Sequence, residues 1–179
     1  MKIKIISGSP RKESVSRRVA LFLFETLKKH PDHEFELIEM RDNELPFFQQ
    51  GWSKPEDVPE KWKALGEKMF EAEGYILVTP EYNGSYSPAL KNMFDHFPKQ
   101  SHKPFGIVTA SDGALGGMRA SQQMQLMIAA LFGVLCPNML IVPRMHEKFD
   151  AEGNLLDESF QKAVDVFLKE FLWLASKLD

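Results

Sequence analysis

The sequence has a single cysteine, Cys136. A lone thiol closes no internal disulfide, so the fold needs no oxidising compartment and a disulfide scaffold is excluded. No apolar run approaches the roughly 20 residues of a membrane span. The N-terminal MKIKIISGSPRK has an apolar stretch too short for the core of a signal peptide, and it ends in a Gly-Ser-Pro turn. A cytoplasmic protein without a membrane partner is expected. Excess positive charge is also lacking. The formal net charge is −3, and no dense Lys/Arg stripe is interleaved with aromatics, which argues against a nucleic-acid partner. Three motifs are missing: a G-x-x-x-x-G-K-[ST] loop, a G-x-G-x-x-G fingerprint after the first apolar run, and H-E-x-x-H. His30, His33, His96, His102 and His146 show no metal-ligand spacing with Cys136, so no metal site is expected.

What is present is an ordinary globular composition, 44% hydrophobic and 26% charged, over a length that suits one domain, residues 1–179. Two periods alternate along the chain. Ile3, Ile5 and Ile6 form a short β-branched run ending at Ser7-Gly8, a buried strand and its exit. Val15, Val19, Phe22, Leu23 and Leu27 form a helical stripe. Residues 34–39 alternate, with Phe35 and Leu37 on one face, as expected of a half-exposed edge strand. Residues 41 to about 59 hold Pro46, Trp52, Pro55 and Pro59 and read as a long loop. A helix is expected from about Glu60 to Glu73, with Gly74 ending it, and then a wholly apolar central strand from Tyr75 to Thr79. Ser87-Pro88 starts a helix bearing Leu90, Met93, Phe94 and Phe97. A strand over 104–110, a long helix from about Leu115 to Leu135, a short strand over 140–142 and a last helix from about Asp157 to Leu178 complete the pattern.

Strands alternating with helices imply an α/β fold of three layers, a parallel sheet covered on both faces. Five units in this length match the flavodoxin-like, doubly wound, five-stranded sheet of order 2-1-3-4-5. In that winding a ligand sits beyond the carboxyl ends of strands 1, 3 and 4. The unusual residues of the chain fall there.

The loop after strand 1, Gly8 to Arg17, combines a glycine exit, hydroxyls from Ser9, Ser14 and Ser16, the Arg11 fork and the free amides of a helix start. Those are the parts of a phosphate seat, though a capped helix start with solvated cations would use similar residues. With both nucleotide motifs missing, a mononucleotide is a better candidate than a tightly held dinucleotide. The loop after strand 3, Thr79 to Asn92, offers Pro80 and Tyr82 as an apolar wall, and the amides of Tyr82 to Ser85 as donors for the polar edge of a flat ring. The loop after strand 4 places Gly113, Gly116 and Gly117 at a helix entrance, where backbone amides can approach a ligand, or where a flexible turn would look the same.

GSPRKESVSRR, TPEYNGSYSPALKNMFD and SDGALGGMRA together resemble the NADPH-dependent FMN reductase family of flavin, quinone, azo and chromate reductases. The resemblance spans almost the whole chain, and PEYN followed by LKN is its most specific part. It implies FMN phosphate held by Ser9, Arg11, Ser14 and Ser16. It implies the isoalloxazine ring held by Pro80, Glu81, Tyr82, Asn83 and Ser85, with Ser111, Gly113, Gly116 and Gly117 on the other side. Ser16 stands where the family often has Asn, and Ser87-Pro88 where it often has Pro-Gly.

The implied activity is hydride transfer from NADPH or NADH to flavin N5 and on to a small-molecule acceptor, by a ping-pong cycle without a catalytic side chain. A flavodoxin-type electron carrier with little NAD(P)H turnover is the rival, and a scaffold that has lost the flavin a more distant one. Arg17 or Arg119 is a candidate for a phosphate of the nicotinamide nucleotide, and Pro46, Phe47, Phe48 and Trp52 for part of the acceptor's wall. Leu126 to Leu135 is apolar nearly all round, which with the family likeness favours a homodimer on that helix and the one starting at Ser87, with a tetramer as the extension. Cys136 reads as a buried structural thiol.

Overall fold

The computed structural model describes all 179 residues. Apolar runs too short for helices become strands: β1 (Lys2–Ser7), β2 (Glu34–Glu39), β3 (Gly74–Pro80), β4 (Pro104–Ala110), β5 (Val134–Leu135) and β6 (Leu140–Val142). Every ladder is parallel, and the order is β2-β1-β3-β4-β5, with β6 also paired to β4. This is the flavodoxin-like winding. β3 and β4 are buried at every position because helices cover both faces.

The alternation of side chains sorts them between two cores. Ile76, Val78 and Val108 pack under α1 (Ser16–Leu27) and α6 (Gln161–Leu178), with Phe167 and Phe171 from α6. Tyr75, Leu77 and Ile107 pack under α2 (Lys63–Glu71), α3 (Pro88–His96) and α4 (Met118–Ala130). Each fully buried large side chain contributes about 1.5–3 kcal/mol. No helix is long and apolar enough to cross a membrane.

Several elements differ from the sequence reading. The helix expected over 115–135 is only Met118–Ala130; Phe132 turns left-handed (φ 62°) and the chain enters β5. The last sheet position is therefore shared by two short strands separated by Pro137. Gly74 does not end a helix but opens β3, and a 3₁₀ turn over Glu60–Trp62 precedes α2. Residues Met145–Lys148 form an additional one-turn helix, α5. At the edge, Phe35 joins one core as expected, but Ile38 is buried in the other, so β2 is covered on both faces. Trp52 stacks among Trp62, His96 and Phe97 and belongs to the core, not to a ligand wall, whereas Phe47 is 89% exposed.

Candidate functional site

The carboxyl ends of β1, β3 and β4 carry the three loops, and the chain ties them to one another. β1 extends one residue beyond its end, where the Gly8 amide donates to Val78 of β3 (2.7 Å). A Cβ on Gly8 would meet Val78 O at 3.1 Å and Leu90 Cδ2 at 3.2 Å, so glycine lets α3 close on the strand exit. Ser87 secures that approach. Its hydroxyl donates to the Gly8 carbonyl and accepts the Leu90 amide (3.1 Å) as the N-cap of α3. The Thr79 hydroxyl in turn accepts the Ser87 amide at 3.0 Å.

In the first loop Ser9 is 2% exposed, and its Oγ accepts the Arg11 amide at 3.3 Å. Ser14 and Ser16 pair hydroxyl to hydroxyl at 3.1 Å, with Ser16 buried. α1 begins at Ser16 without a side-chain cap; the Arg18 amide donates to Val15 O at 3.2 Å, which leaves those of Ser16 and Arg17 for an external acceptor. Arg11 is exposed. Arg17 is committed elsewhere, in a two-point pair with Glu39 that raises its pKa.

The second loop is a tight hairpin. Tyr82 and Ser85 exchange both backbone hydrogen bonds, at 2.8 and 3.1 Å, around Asn83 (φ 50°) and Gly84 (φ 85°). That geometry corrects one expectation. The amides of Tyr82 and Ser85 are spent on each other, so the donors left for a ligand are those of Asn83 and Gly84. Tyr82 reaches the first loop, its hydroxyl lying 3.2 Å from Ser9 Oγ.

Glu81 reaches the third loop. Its Oε2 accepts the amides of Arg119 (3.1 Å) and Ala120 (3.4 Å) at the start of α4, and its Oε1 lies 3.6 Å from the Arg119 guanidinium. Arg119, like Arg17, thus has a partner within the chain. In the third loop Ser111 sits beside β6, its amide donating to Val142 O (3.2 Å) and its hydroxyl to Gly113 O (3.4 Å). Gly113 is exposed. Gly116 and Gly117 are buried and left-handed, with φ of 59° and 87°. A Cβ on Gly116 would meet Pro143 N at 2.7 Å, and one on Gly117 would meet Thr109 Cβ at 2.9 Å. The close approach these two glycines allow is to the chain's own strands. Thr109 Oγ1 locks the turn by donating to Gly116 O at 2.8 Å.

The structure therefore brings Ser9, Ser14, Ser16, Pro80, Glu81, Tyr82, Asn83, Ser85, Ser111 and the three glycines to one end of the sheet, with Arg11 beside them. The sequence gives no hint that Glu81 caps a helix 38 residues away, because that contact exists only once the sheet is wound. The supporting hydroxyls of Thr79 and Thr109 were missed for the same reason. No group of three His, Cys, Asp or Glu side chains is placed to hold a metal ion.

The model of the family described as NADPH-dependent FMN reductase matches residues 1–147. The chain belongs to that family. Among related proteins, the reductase is 30% identical to an NADPH azoreductase of Bacillus sp. strain OY1-2, over 82% of this chain and 79% of that one. It is 29% identical to a 2-hydroxy-1,4-benzoquinone reductase of Burkholderia sp., over 96% and 94%. It is also 29% identical to an FMN-dependent NADPH-azoreductase of Staphylococcus aureus, again over 96% and 94%. Among solved structures, the flavoenzyme NAD(P)H:(acceptor) oxidoreductase FerB of Paracoccus denitrificans superposes with a TM-score of 0.80 at 22% identity, covering 98% of this chain and 97% of that one. A flavodoxin of Pseudomonas aeruginosa superposes at 0.58 and 19%, covering 96% and 99%. At those identities the likeness speaks for the fold alone. The reductase is thus an NAD(P)H-dependent flavin enzyme by family, with FMN as its cofactor.

Proposed function

We propose that residues 1–179 act as one FMN-binding domain. It passes reducing equivalents from NADPH or NADH to a small organic acceptor, of the quinone or azo type, in a ping-pong cycle. The observation that carries this reading is the cross-wiring of the three loops, Ser9 to Tyr82 and Glu81 to Arg119, which ties them together at one end of the sheet. The donor set fits FMN. An uncapped helix start beside three serine hydroxyls and Arg11 suits a phosphate dianion. Pro80 and Tyr82 suit the ring, and the amides of Asn83 and Gly84 suit its polar edge.

When bound, FMN supplies hydride acceptance and onward delivery. The chain's residues bind and orient. Ser9, Arg11, Ser14 and Ser16 hold the phosphate; Pro80, Tyr82, Asn83 and Ser85 border the ring on one side, and Ser111 and Gly113 on the other. Glu81, Gly116 and Gly117 shape the loops. No side chain need act as nucleophile or acid, which leaves the chemistry to placement and to fixed amide dipoles.

The resemblance to azo and quinone reductases supports the acceptor class. A homodimer in the cytoplasm is part of the same reading, supported by Leu126 on α4 and Phe132 just past its end, 66% and 60% exposed.

The test is FMN titration followed by anaerobic mixing with NADPH, then steady-state rates against benzoquinone and an azo dye. Saturable FMN binding, rapid bleaching and parallel double-reciprocal lines are expected. Slow bleaching with tight FMN would favour the electron carrier, and no association with FMN would end the proposal.

A further inference from the structure

The chain carries a basic cavity whose four cations none of the flavin contacts use, although Ser14 borders both. It measures about 260 Å³ and is lined by Lys12, Ser14, Arg17, Arg18 and Arg41, with Glu13 at its wall. We propose that this cavity receives the ribose 2′-phosphate of NADPH, and that Arg41 is the residue that selects NADPH over NADH. The inference rests on the reductase reading above.

The charge is unbalanced there. Glu39 is the carboxylate that answers both Arg17 and Arg41. Arg17 takes both of its oxygens. Arg41 Nε then lies 3.0 Å from Glu39 Oε2 without hydrogen-bond geometry, and its N–H is a buried donor with no acceptor. Arg41 Nη1 makes one long contact, 3.4 Å to the Lys12 carbonyl, and Arg18 spends Nη1 on Phe149 O at 3.0 Å. Glu39, Asp42, whose Oδ2 lies 3.9 Å from Arg41 Nε, and Glu13 face four cations, Lys12, Arg17, Arg18 and Arg41. A phosphate dianion in the cavity supplies the missing charge, and the planar guanidinium suits its oxygens.

The position of the cavity points to the nicotinamide nucleotide and not to FMN. A second cavity, about 350 Å³, is lined by Pro10, Met40, Leu45, Ala89 and Asn92, and it shares Lys12 and Arg41 with the first. The two are neighbours across Lys12 and Arg41: the second lies between Pro10 of the first loop and Ala89 and Asn92 of α3, the first on the Arg17 and Arg18 side of that loop. A dinucleotide with a reactive ring at one end and a phosphorylated ribose at the other matches that arrangement. NADH presents a neutral hydroxyl where NADPH presents the dianion, and leaves the excess positive charge unanswered.

The test uses the FMN-loaded protein and Arg41→Gln. A drop of about 10- to 100-fold in kcat/KM for NADPH, carried by KM, is expected from losing a charge-assisted hydrogen bond. The NADH value should stay within about twofold, since nothing in either cavity distinguishes the variants for it. A second readout needs no turnover: calorimetry should show wild type binding 2′-phosphoadenosine 5′-phosphate more tightly than AMP, and Arg41→Gln binding both alike. Lys12→Gln, at an exposed position, should shift both readouts in the same sense if the Arg41 variant unfolds.

Equal losses with NADPH and NADH would overturn the inference. So would equal affinity of wild type for the two adenosine probes, or displacement of the bisphosphate by inorganic pyrophosphate at matching concentration. Weakened FMN binding in the variant would reassign the cavity to the flavin phosphate and overturn it as well. If FMN binds and is bleached by NADPH but Arg41→Gln changes nothing, this inference alone falls. If FMN fails to bind wild type, the reductase reading falls and takes it along.

Discussion

The Glu81 carboxylate caps the helix that begins beside Arg119, accepting the Arg119 and Ala120 amides from a loop on another strand. α4 starts after a left-handed glycine and has no cap of its own side chains, so Glu81 both satisfies the helix start and holds the hairpin against the third loop.

Glu81→Ala should therefore cost about 1 kcal/mol of stability, the usual worth of an N-cap. It should also raise the FMN Kd about tenfold by loosening the Asn83–Gly84 tip, a change of about 1.4 kcal/mol. Glu81→Gln keeps an acceptor oxygen and should recover most of both. Urea melts and flavin-fluorescence titration read the two effects; an Ala variant with unaltered FMN affinity would dissociate the hairpin from the cap.

Ser9 is buried and meets both Tyr82 and the Arg11 amide, so its hydroxyl is placed at the junction of two loops. Ser9→Ala should weaken FMN binding about tenfold, in line with one lost hydrogen bond to a charged group. Tyr82→Phe removes only the hydroxyl contact and should cost about threefold, by the measure of a neutral bond. The same titration ranks them, and the reverse order would place the phosphate elsewhere.

The three glycines of the third loop separate by surroundings. Gly116→Ala forces a Cβ to 2.7 Å from backbone Pro143 N at positive φ, and should destabilise by about 1–3 kcal/mol. Gly113→Ala meets only Ser111 Oγ, at 3.6 Å, and should melt like wild type. Thermal denaturation of the two variants decides it.

Much of this was readable in the amino acids. Apolar runs such as 75–79 and 104–110 permit only buried strands, and Ser87-Pro88 announced its helix correctly because capping is a local matter. The end of α4 was misplaced because the apolar stripe runs on through Leu131 and Phe132; Gly133, whose added Cβ would lie 2.5 Å from the Phe105 ring, was the overlooked stop signal. The hairpin is likewise written in the Asn83-Gly84 pair, which favours positive φ at both positions and so spends the Tyr82 and Ser85 amides that the sequence reading assigns to a ligand. Contacts such as Ser9–Tyr82 lie outside any local pattern.

Lys4 illustrates a cost carried by the sheet. It is 1% exposed, with its ammonium 2.8 Å from Glu36 and 2.5 Å from Glu71. Removing both carboxylates, Glu36→Gln with Glu71→Gln, strands a buried charge and should cost about 3–5 kcal/mol at neutral pH. Hydrogen bonds from Lys2 and Lys4 hold Glu71 well below the usual carboxylate range, at about 2. A carboxylate depressed on folding stabilises fully above its unfolded pKa, about 4.3, and loses that contribution as pH falls towards the folded value. Urea midpoints should therefore decline between about pH 4.5 and 2 in wild type, and less steeply in Glu71→Gln.

The division of the outermost sheet position between Val134–Leu135 and Leu140–Val142 leaves that margin without an unbroken row of free backbone groups. The opposite margin, β2, is studded with Glu34, Glu36 and Glu39. Neither border offers a long, flat, uncharged template on which a foreign strand could lengthen the sheet, so the architecture guards itself against fibrillar self-association at both ends.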